Sequence, residues 1–412
     1  MQKLHVAALL AAFVLAGCAE IQPVPTTRPA VPPAPATAAC PAPAACPVCP
    51  VCPPVTPVLP PAKPLQPANW QDLPGWKDDD VRAAWPVFLQ SCRGVASKPH
   101  GPAWKRVCDM AKNLDSSRVA GVRRFFEDNF QPYAVVAADG NATGLITGYY
   151  EPLLKGSRHR SKAYPTPVLG VPDDMLTIDL GEVYPDLKSL RLRGRLVGNK
   201  VVPYYSRGEI VAREETLAAR TLLWVEDPVE YFFLQVQGSG RVRLPDGSLV
   251  RLAYADQNGH PYQSIGRLLV ERGELKLEEA SMQGIQAWGR ANPGRLNDVL
   301  NANPSYVFFR EAPNNNDGPS GSLGVPLVAE RSMAVDPRTI PIGAPVFLAT
   351  TRPNSAQPLN RLMFAQDTGG AIKGAVRADF FWGFGKEAGE QAGRMRQPGR
   401  LWVLLPAEAV PK

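Results

Sequence analysis

Phe364-Ala-Gln-Asp-Thr-Gly-Gly-Ala-Ile-Lys-Gly-Ala-Val-Arg-Ala-Asp-Phe-Phe-Trp382 holds two aspartates, Asp367 and Asp379, on either side of a glycine-containing loop. The run Arg361 to Gln366 is apolar enough for a strand, and Asp367 ends it by running into Gly369 and Gly370. Glycines permit positive φ and let another chain or a ligand approach the backbone closely. A third aspartate, Asp336, lies upstream in Met333-Ala-Val-Asp-Pro, ahead of Ile340-Pro-Ile-Gly. Two readings stand on these residues alone. In one, the carboxylates gather into a site. In the other, Asp367 is a turn residue bonding its own backbone and Asp379 is an ordinary strand residue at the surface.

Outward from this stretch, Ala344 to Thr350 and Leu401 to Leu405 read as further strands, so residues 325 to the end are mainly β. Pro245-Asp-Gly247 between Arg241-Val-Arg-Leu and Ser248-Leu-Val-Arg-Leu signals a hairpin. Tyr231-Phe-Phe-Leu-Gln-Val-Gln237 reads as strand-like. Met282, Ile285 and Trp288 share one face of a helix, which Asn303-Pro304 ends. Val81, Trp85, Phe88 and Leu89 recur at helical spacing, as do Val119, Val122, Phe126 and Phe130. These are core stripes.

The N-terminus bears on compartment. Lys3 precedes the apolar run Val6 to Leu15, which is too short to span a bilayer and fits a secretory h-region. Leu15-Ala-Gly-Cys18 closes it and resembles a bacterial lipobox, which implies a signal peptide over residues 1–17 and a lipid on Cys18. Ala19 after that cysteine implies the outer membrane by the sorting rules the resemblance carries. Residues 18–68 are rich in Pro and Ala and read as a semi-rigid spacer. At ~3.1 Å per residue, about 50 residues reach on the order of 150 Å. Cys40, Cys46, Cys49 and Cys52 in that tract lack the paired spacing of a zinc site. Cys92 and Cys108 lie in the globular part, and export favours a disulfide between them. Such a loop contributes about 3 kcal/mol through chain entropy.

Charge and motifs exclude several chemistries. The 412 residues carry a net charge of +7, which suits an anionic polymer: nucleic acid, a membrane surface or wall glycan. Nucleic acid is the weakest of the three, because no basic run with interleaved aromatics appears. The four histidines, His5, His100, His159 and His260, share no metal-ligand spacing with another His or with Cys. No Gly-x-Ser-x-Gly elbow, phosphate loop or dinucleotide fingerprint is present, so neither a metal nor a cofactor is expected.

Four further motifs lie in order along the chain: Thr147-Gly-Tyr-Tyr-Glu-Pro, Val236-Gln-Gly-Ser-Gly, Asn258-Gly-His-Pro-Tyr-Gln-Ser-Ile-Gly and Asn303-Pro-Ser-Tyr-Val-Phe-Phe. With the three aspartates they resemble the membrane-bound lytic murein transglycosylase A family over roughly residues 70–408. The resemblance implies a mainly β fold with flanking helices. A double-psi β-barrel domain, residues 69–150 and 305–412 with the helical segment, would hold the active site. A second β-rich domain, residues 151–304, would be inserted into it, with a glycan groove between the two. Asp379 would be the catalytic acid and base, with Asp367 and, more weakly, Asp336 in support. Tyr149, Gln237, Ser239 and Lys373 would contact substrate. For Tyr149, Gln237 and Ser239, packing and turn roles weigh equally.

One carboxyl group can suffice in this chemistry. The C6 hydroxyl of N-acetylmuramic acid attacks its own anomeric carbon, so no second carboxylate has to activate water. That carboxyl must begin protonated, which an exposed aspartate with a pKa of about 3.9 is not. Desolvation against Phe380, Phe381 and Trp382, with Asp367 nearby, is expected to raise it. The implied partners are peptidoglycan strands and, through the anchor, the periplasmic face of the outer membrane; proteins of wall synthesis or division remain open. A hydrolase of the same glycan and a non-catalytic wall-binding lipoprotein are the competing readings.

Overall fold

Asp80 caps the first long helix by accepting from Arg82 N at 3.2 Å, and Val81, Ala84, Trp85 and Phe88 follow at the spacing that buries one face. The computed structural model describes residues 62–187, 190–315 and 317–409. The segments read as signal peptide, Cys18 and the linker cysteines lie outside them. In chain order the first elements are β1 (Leu65–Pro67), α1 (Val81–Val95), α2 (Lys105–Ala111), α3 (Val119–Asn129), β2 (Gln131–Val135) and β3 (Gly144–Glu151). Trp85 meets Phe125 of α3 edge-on, ring centroids 4.9 Å apart, and Phe88 meets Phe126 at 5.3 Å. Cys92 of α1 and Cys108 of α2 form a disulfide.

The tract read as spacer to residue 68 ends earlier. Leu65–Pro67 pair antiparallel with Tyr133–Val135. Leu65 packs against the main core, and β1 is an edge strand, where the missing N–H of Pro67 is tolerated.

A middle set follows: β4 (Leu153–Ser157), β5 (Thr166–Leu169), β6 (Leu176–Ile178), β7 (Leu192–Val197), β8 (Lys200–Pro203), α4 (Arg207–Ala212), β9 (Thr221–Val225), α5 (Pro228–Gln237), β10 (Ser239–Arg243), β11 (Leu249–Gln257), α6 (Ile265–Glu271), α7 (Met282–Ala291), α8 (Leu296–Asn301) and β12 (Val307–Ala312). Six of its strands form a sheet in the order β12-β11-β10-β4-β9-β5, and β6-β7-β8 form a small third sheet. The hairpin β10–β11 turns at Pro245-Asp-Gly247 as expected. Residues 307–312, placed by sequence outside this set, pair with β11 and belong to it. Asn258 Oδ1 accepts from Tyr306 N at 2.8 Å and leads the chain into that pairing.

Two sequence expectations fail here. Tyr231–Gln237 is helix, not strand, within α5. Asp227 accepts from Val229 N and Glu230 N, Pro228 occupies the first turn, and Gly238 at φ +81° ends it. These end signals outweigh the apolar run between them. The single helix expected up to Asn303-Pro304 is two, α7 and α8, broken at Asn292-Pro-Gly294.

The last elements are β13 (Ser332–Val335), β14 (Pro345–Thr351), β15 (Pro358–Asp367), β16 (Arg377–Phe384), α9 (Gly385–Arg394) and β17 (Arg396–Leu405). They join the first strands in an eight-stranded sheet, β1-β2-β17-β14-β15-β13-β16-β3, and β3 pairs in turn with β17. The fold is thus sheet-rich and mixed, with helices against it. Arg331 donates to both carboxylate oxygens of buried Asp79, at 2.9 and 3.0 Å, and fixes the start of α1 to this sheet. At the end of β3, Glu151 is 1% exposed and pairs with Arg241 of β10 at 3.0 Å, a charge link between the two large sheets.

Candidate active site

Ala334 on β13 has an aspartate as register partner on each side: Asp367 on parallel β15 and Asp379 on antiparallel β16. Asp379 in turn lies beside Thr147 on parallel β3. Two strand spacings separate the aspartate backbones by about 10 Å. The register between β13 and β15 shifts at Gln366, a bulge that sends the Gln366 amide to Ser91 and Val87 of α1 and leaves Asp367 facing the Asp379 side. Tyr149 confirms the shared face, because its hydroxyl donates to Asp367 Oδ2 at 3.2 Å.

Alternation along the strands sets what surrounds the carboxyls. Tyr149, Ala334 and Phe381 are buried together with Leu327 and Ile372. Tyr149 and Phe381 rings lie 5.1 Å apart. Phe380 and Trp382, expected to desolvate Asp379, instead belong to the main core on the opposite face, because strand neighbours of Asp379 and Phe381 must point away from them.

Thr147 Oγ1 donates to Asp379 Oδ1 at 2.6 Å. Burial raises the Asp379 carboxyl to about 6; the Asp367 charge adds to this, while the Thr147 hydrogen bond and Arg377 oppose it. Arg377, whose own charge is disfavoured by burial, is held by the Ala378 carbonyl at 2.5 Å. Asp367 is also raised by burial, against the pull of its donors. Those donors are Ser322 N and Oγ, each at 2.9 Å on Oδ1, and Tyr149 on Oδ2. Burial and the two carboxylates push the Tyr149 phenol well up, so it stays a neutral donor. The pair is therefore unequal: Asp367 is tied on both oxygens, whereas Asp379 has one anchored oxygen and a pKa near neutrality.

Asp336 does not join this pair. It is 2% exposed and accepts from Gly374 N at 2.8 Å and from the Arg338 guanidinium at 2.5 Å. Arg338 and the Gly374 N–H lower its pKa to about 2. Gly374 has φ +110°, so Asp336 fastens the Asp367–Asp379 loop at the point where only glycine is unstrained. Lys373 is exposed on that loop. Gln237 ends α5, and its Oε1 accepts from Tyr150 N at 3.1 Å. Ser239 begins β10 opposite Ala253. Tyr149 is 8% exposed, with its ring on Phe381 rather than open for stacking.

Sequence reasoning missed Thr147, Ser322 and Arg377 as parts of the site. Thr147 and Arg377 stand inside quoted motifs, whereas Ser322 carries no local signal. Among the described residues no three His, Cys, Asp or Glu side chains are grouped to hold a metal ion.

Residues 145–310 match the family described as MltA specific insert domain, and residues 331–405 match the 3D domain. The chain is 34% identical over 294 residues to membrane-bound lytic murein transglycosylase A of Escherichia coli K12, covering 69% of this chain and 71% of that protein. Its fold is similar to the crystal structure of MltA from Neisseria gonorrhoeae, monoclinic form, at 40% identity and TM-score 0.72, over 83% of this chain and 92% of that one. It is also similar to E. coli MltA with bound chitohexaose, at 28% identity and TM-score 0.62, over 84% and 96% of the two chains. Fold and relatives together define a peptidoglycan lytic transglycosylase, a lyase acting on a polysaccharide. Within that class, the chain belongs to the membrane-bound lytic murein transglycosylase A family.

Proposed function

We propose that Asp379 is the single catalytic acid and base. It cleaves the β-1,4 bond between N-acetylmuramic acid and N-acetylglucosamine and leaves a 1,6-anhydromuramic acid end, in murein turnover and recycling. The observation that carries this reading is the inequality of the two carboxyls. Asp379 alone combines a pKa of about 6 with an oxygen that has no hydrogen-bond donor among the described residues. Its protonated form gives the proton to the glycosidic oxygen as the C1–O4 bond breaks. The resulting carboxylate takes the proton of the C6 hydroxyl as that oxygen bonds to C1, so the acid is regenerated without water. Holding nucleophile and electrophile in one sugar ring saves about 7–11 kcal/mol of the barrier in well-oriented cases.

Asp367 acts as a positioning residue. Its negative charge favours the protonated form of Asp379, and Ser322 and Tyr149 keep it in place. Asp336 acts on the loop. Tyr149, Gln237, Ser239 and Lys373 border the path of the glycan; for Tyr149 and Gln237 the hydrogen bonds favour a positioning role over sugar stacking. The closed succession of pairings β17-β14-β15-β13-β16-β3-β17 supports the double-psi β-barrel. The separate sheet of residues 153–312 supports an inserted domain, with the groove beside Glu151 and Arg241. The chitohexaose complex of the E. coli relative favours a β-linked amino-sugar polymer as ligand.

The test is mass analysis of fragments released from purified sacculi. Wild type should release 1,6-anhydro fragments, and Asp379→Asn, folded by circular dichroism, should lose at least about 10²-fold in rate. Reducing ends from the wild type would favour hydrolysis, and a wild-type rate from Asp379→Asn would remove it from the chemistry. We also propose a lipid on Cys18 that holds the protein at the periplasmic face of the outer membrane. Cys18→Ser should then leave the membrane fraction, and unchanged partition would reject the anchor.

A further inference from the structure

Arg207, the first residue of α4, is buried at 5% exposure, yet among the described residues no carboxylate pairs with it. Its guanidinium donates to the Asn303 carbonyl at 3.2 Å, Gln235 Oε1 at 2.6 Å and the Ser305 carbonyl at 2.7 Å. The Phe232 and Tyr306 rings lie 4.7 and 5.0 Å away. All of these partners are neutral. A guanidinium has five N–H groups, so two remain beyond the three in use. A buried cation compensated only by dipoles and ring faces is costly, and the lowering of the Arg207 pKa to about 10 by burial expresses the same deficit.

Arg207 lines a cavity of about 190 Å³ between β5, α4, α5 and α8, remote in sequence from the aspartates. Seven residues on, Glu214 lines the same cavity. Glu214 follows the end of α4 at Ala212, and the turn there brings it to the same cavity wall. One Glu214 oxygen is buried without a hydrogen-bond donor among the described residues; the nearest cation, Arg160, stands 3.8 Å off and is itself exposed. Tyr231 and Tyr306 close the inner wall. The cavity thus offers an uncompensated cation and an under-bonded carboxyl, in a volume equal to about six waters in the liquid.

We propose that this cavity binds an α-amino acid head group, its carboxylate on Arg207 and its ammonium on Glu214. A simple anion would leave the Glu214 oxygen unbonded and place like charge beside it. A cation would do the same to Arg207. A small zwitterion satisfies both. The head group could be carried by a free amino acid or by a stem-peptide side chain of murein that itself ends in one, since the peptide's own C-terminus has no free ammonium. The proposal stands apart from the role given to Asp379.

The test is calorimetric titration of the full chain with D-alanine and with a muropeptide bearing a free α-amino acid head. N-acetyl-D-alanine and D-alaninamide serve as probes lacking one charge. Either zwitterion should bind saturably, and each blocked form should bind at least about tenfold more weakly. Tighter binding of the muropeptide would identify the stem peptide as the source, and binding of D-alanine alone would identify the free amino acid. Asn297→Trp, at the exposed rim of the cavity, should abolish binding without altering the melting temperature. Glu214→Gln should erase the preference for D-alanine over its N-acetyl form. Absence of saturable heat with either zwitterion up to about 10 mM, equal binding of the blocked forms, or undiminished binding by Asn297→Trp would overturn the proposal.

Discussion

Thr147 and Asp379 meet across a parallel strand pair, hydroxyl to carboxylate at 2.6 Å, although 232 residues separate them. That hydrogen bond favours the ionised carboxyl and so opposes burial. Thr147→Val removes it while keeping the side-chain volume. The Asp379 pKa should then rise above about 6, and the alkaline limb of the pH–rate profile should move upward on the order of one unit. A profile that does not move, or moves to lower pH, would show that this limb does not report Asp379.

The raised pKa of Asp379 also predicts a cost to stability. Its folded-state value of about 6 lies above the ordinary 3.8, so the native protein holds its proton more tightly than the unfolded chain. Stability therefore falls as pH rises between those two values, and the full cost is present above about 6. Asp379→Asn should be more stable than wild type at pH 8, on the order of 2 kcal/mol, with the difference fading below about pH 4. Urea unfolding of both proteins at the two pH values measures it. A variant no more stable at pH 8 would argue that the carboxyl is not strained by its surroundings.

Asp336 carries the opposite sign. Its folded-state value of about 2 lies below the ordinary 3.8, so its contribution is present above about pH 4 and is lost as pH falls through 2. Because Arg338 is largely exposed, the contribution is discounted to about 1–2 kcal/mol. Asp336→Asn should lose that amount at neutral pH and converge on wild type in acid. Its turnover should fall far less than that of Asp379→Asn, since the loop loosens while the acid remains. A loss as deep as that of Asp379→Asn in a folded protein would assign Asp336 a part in the chemistry.

Much of this was legible from local pattern, and the remainder has definite physical causes. The apolar stripes of α1 and α3 and the Pro245-Asp-Gly247 turn encode their own geometry, and they appear where expected. Tyr231-Phe-Phe-Leu encodes none, because an unbroken apolar run has neither helical nor strand period; Asp227, Pro228 and Gly238 at its ends held the information. In the site, Asp367 and Asp379 stood out through the glycines between them. Their inequality did not. It depends on Ser322, 45 residues from Asp367, and on Thr147, both delivered by strand pairing that no nearby residue announces. The misplacement of Phe380 and Trp382 has a simpler origin: adjacency in sequence was read as adjacency in space, which a period of two forbids.

The position of Ala334 between the two aspartates bears on how this site can change over evolutionary time. The distance between the carboxyls is set by strand β13, whereas the loop of residues 368–376 only closes the path from one flanking strand to the other. A residue gained or lost in that loop, away from buried Ile372 and the Gly374 held by Asp336, leaves both registers untouched, so the count of residues separating the aspartates is free to drift among descendants of the same ancestor. A residue gained inside β16 ahead of Asp379 enjoys no such freedom, because it would turn the carboxyl toward the opposite face of the sheet. Insertions and deletions should therefore accumulate at exposed Gly370 and Ala371, ahead of the Gly374 that Asp336 fastens, and be purged from Arg377 to Phe381.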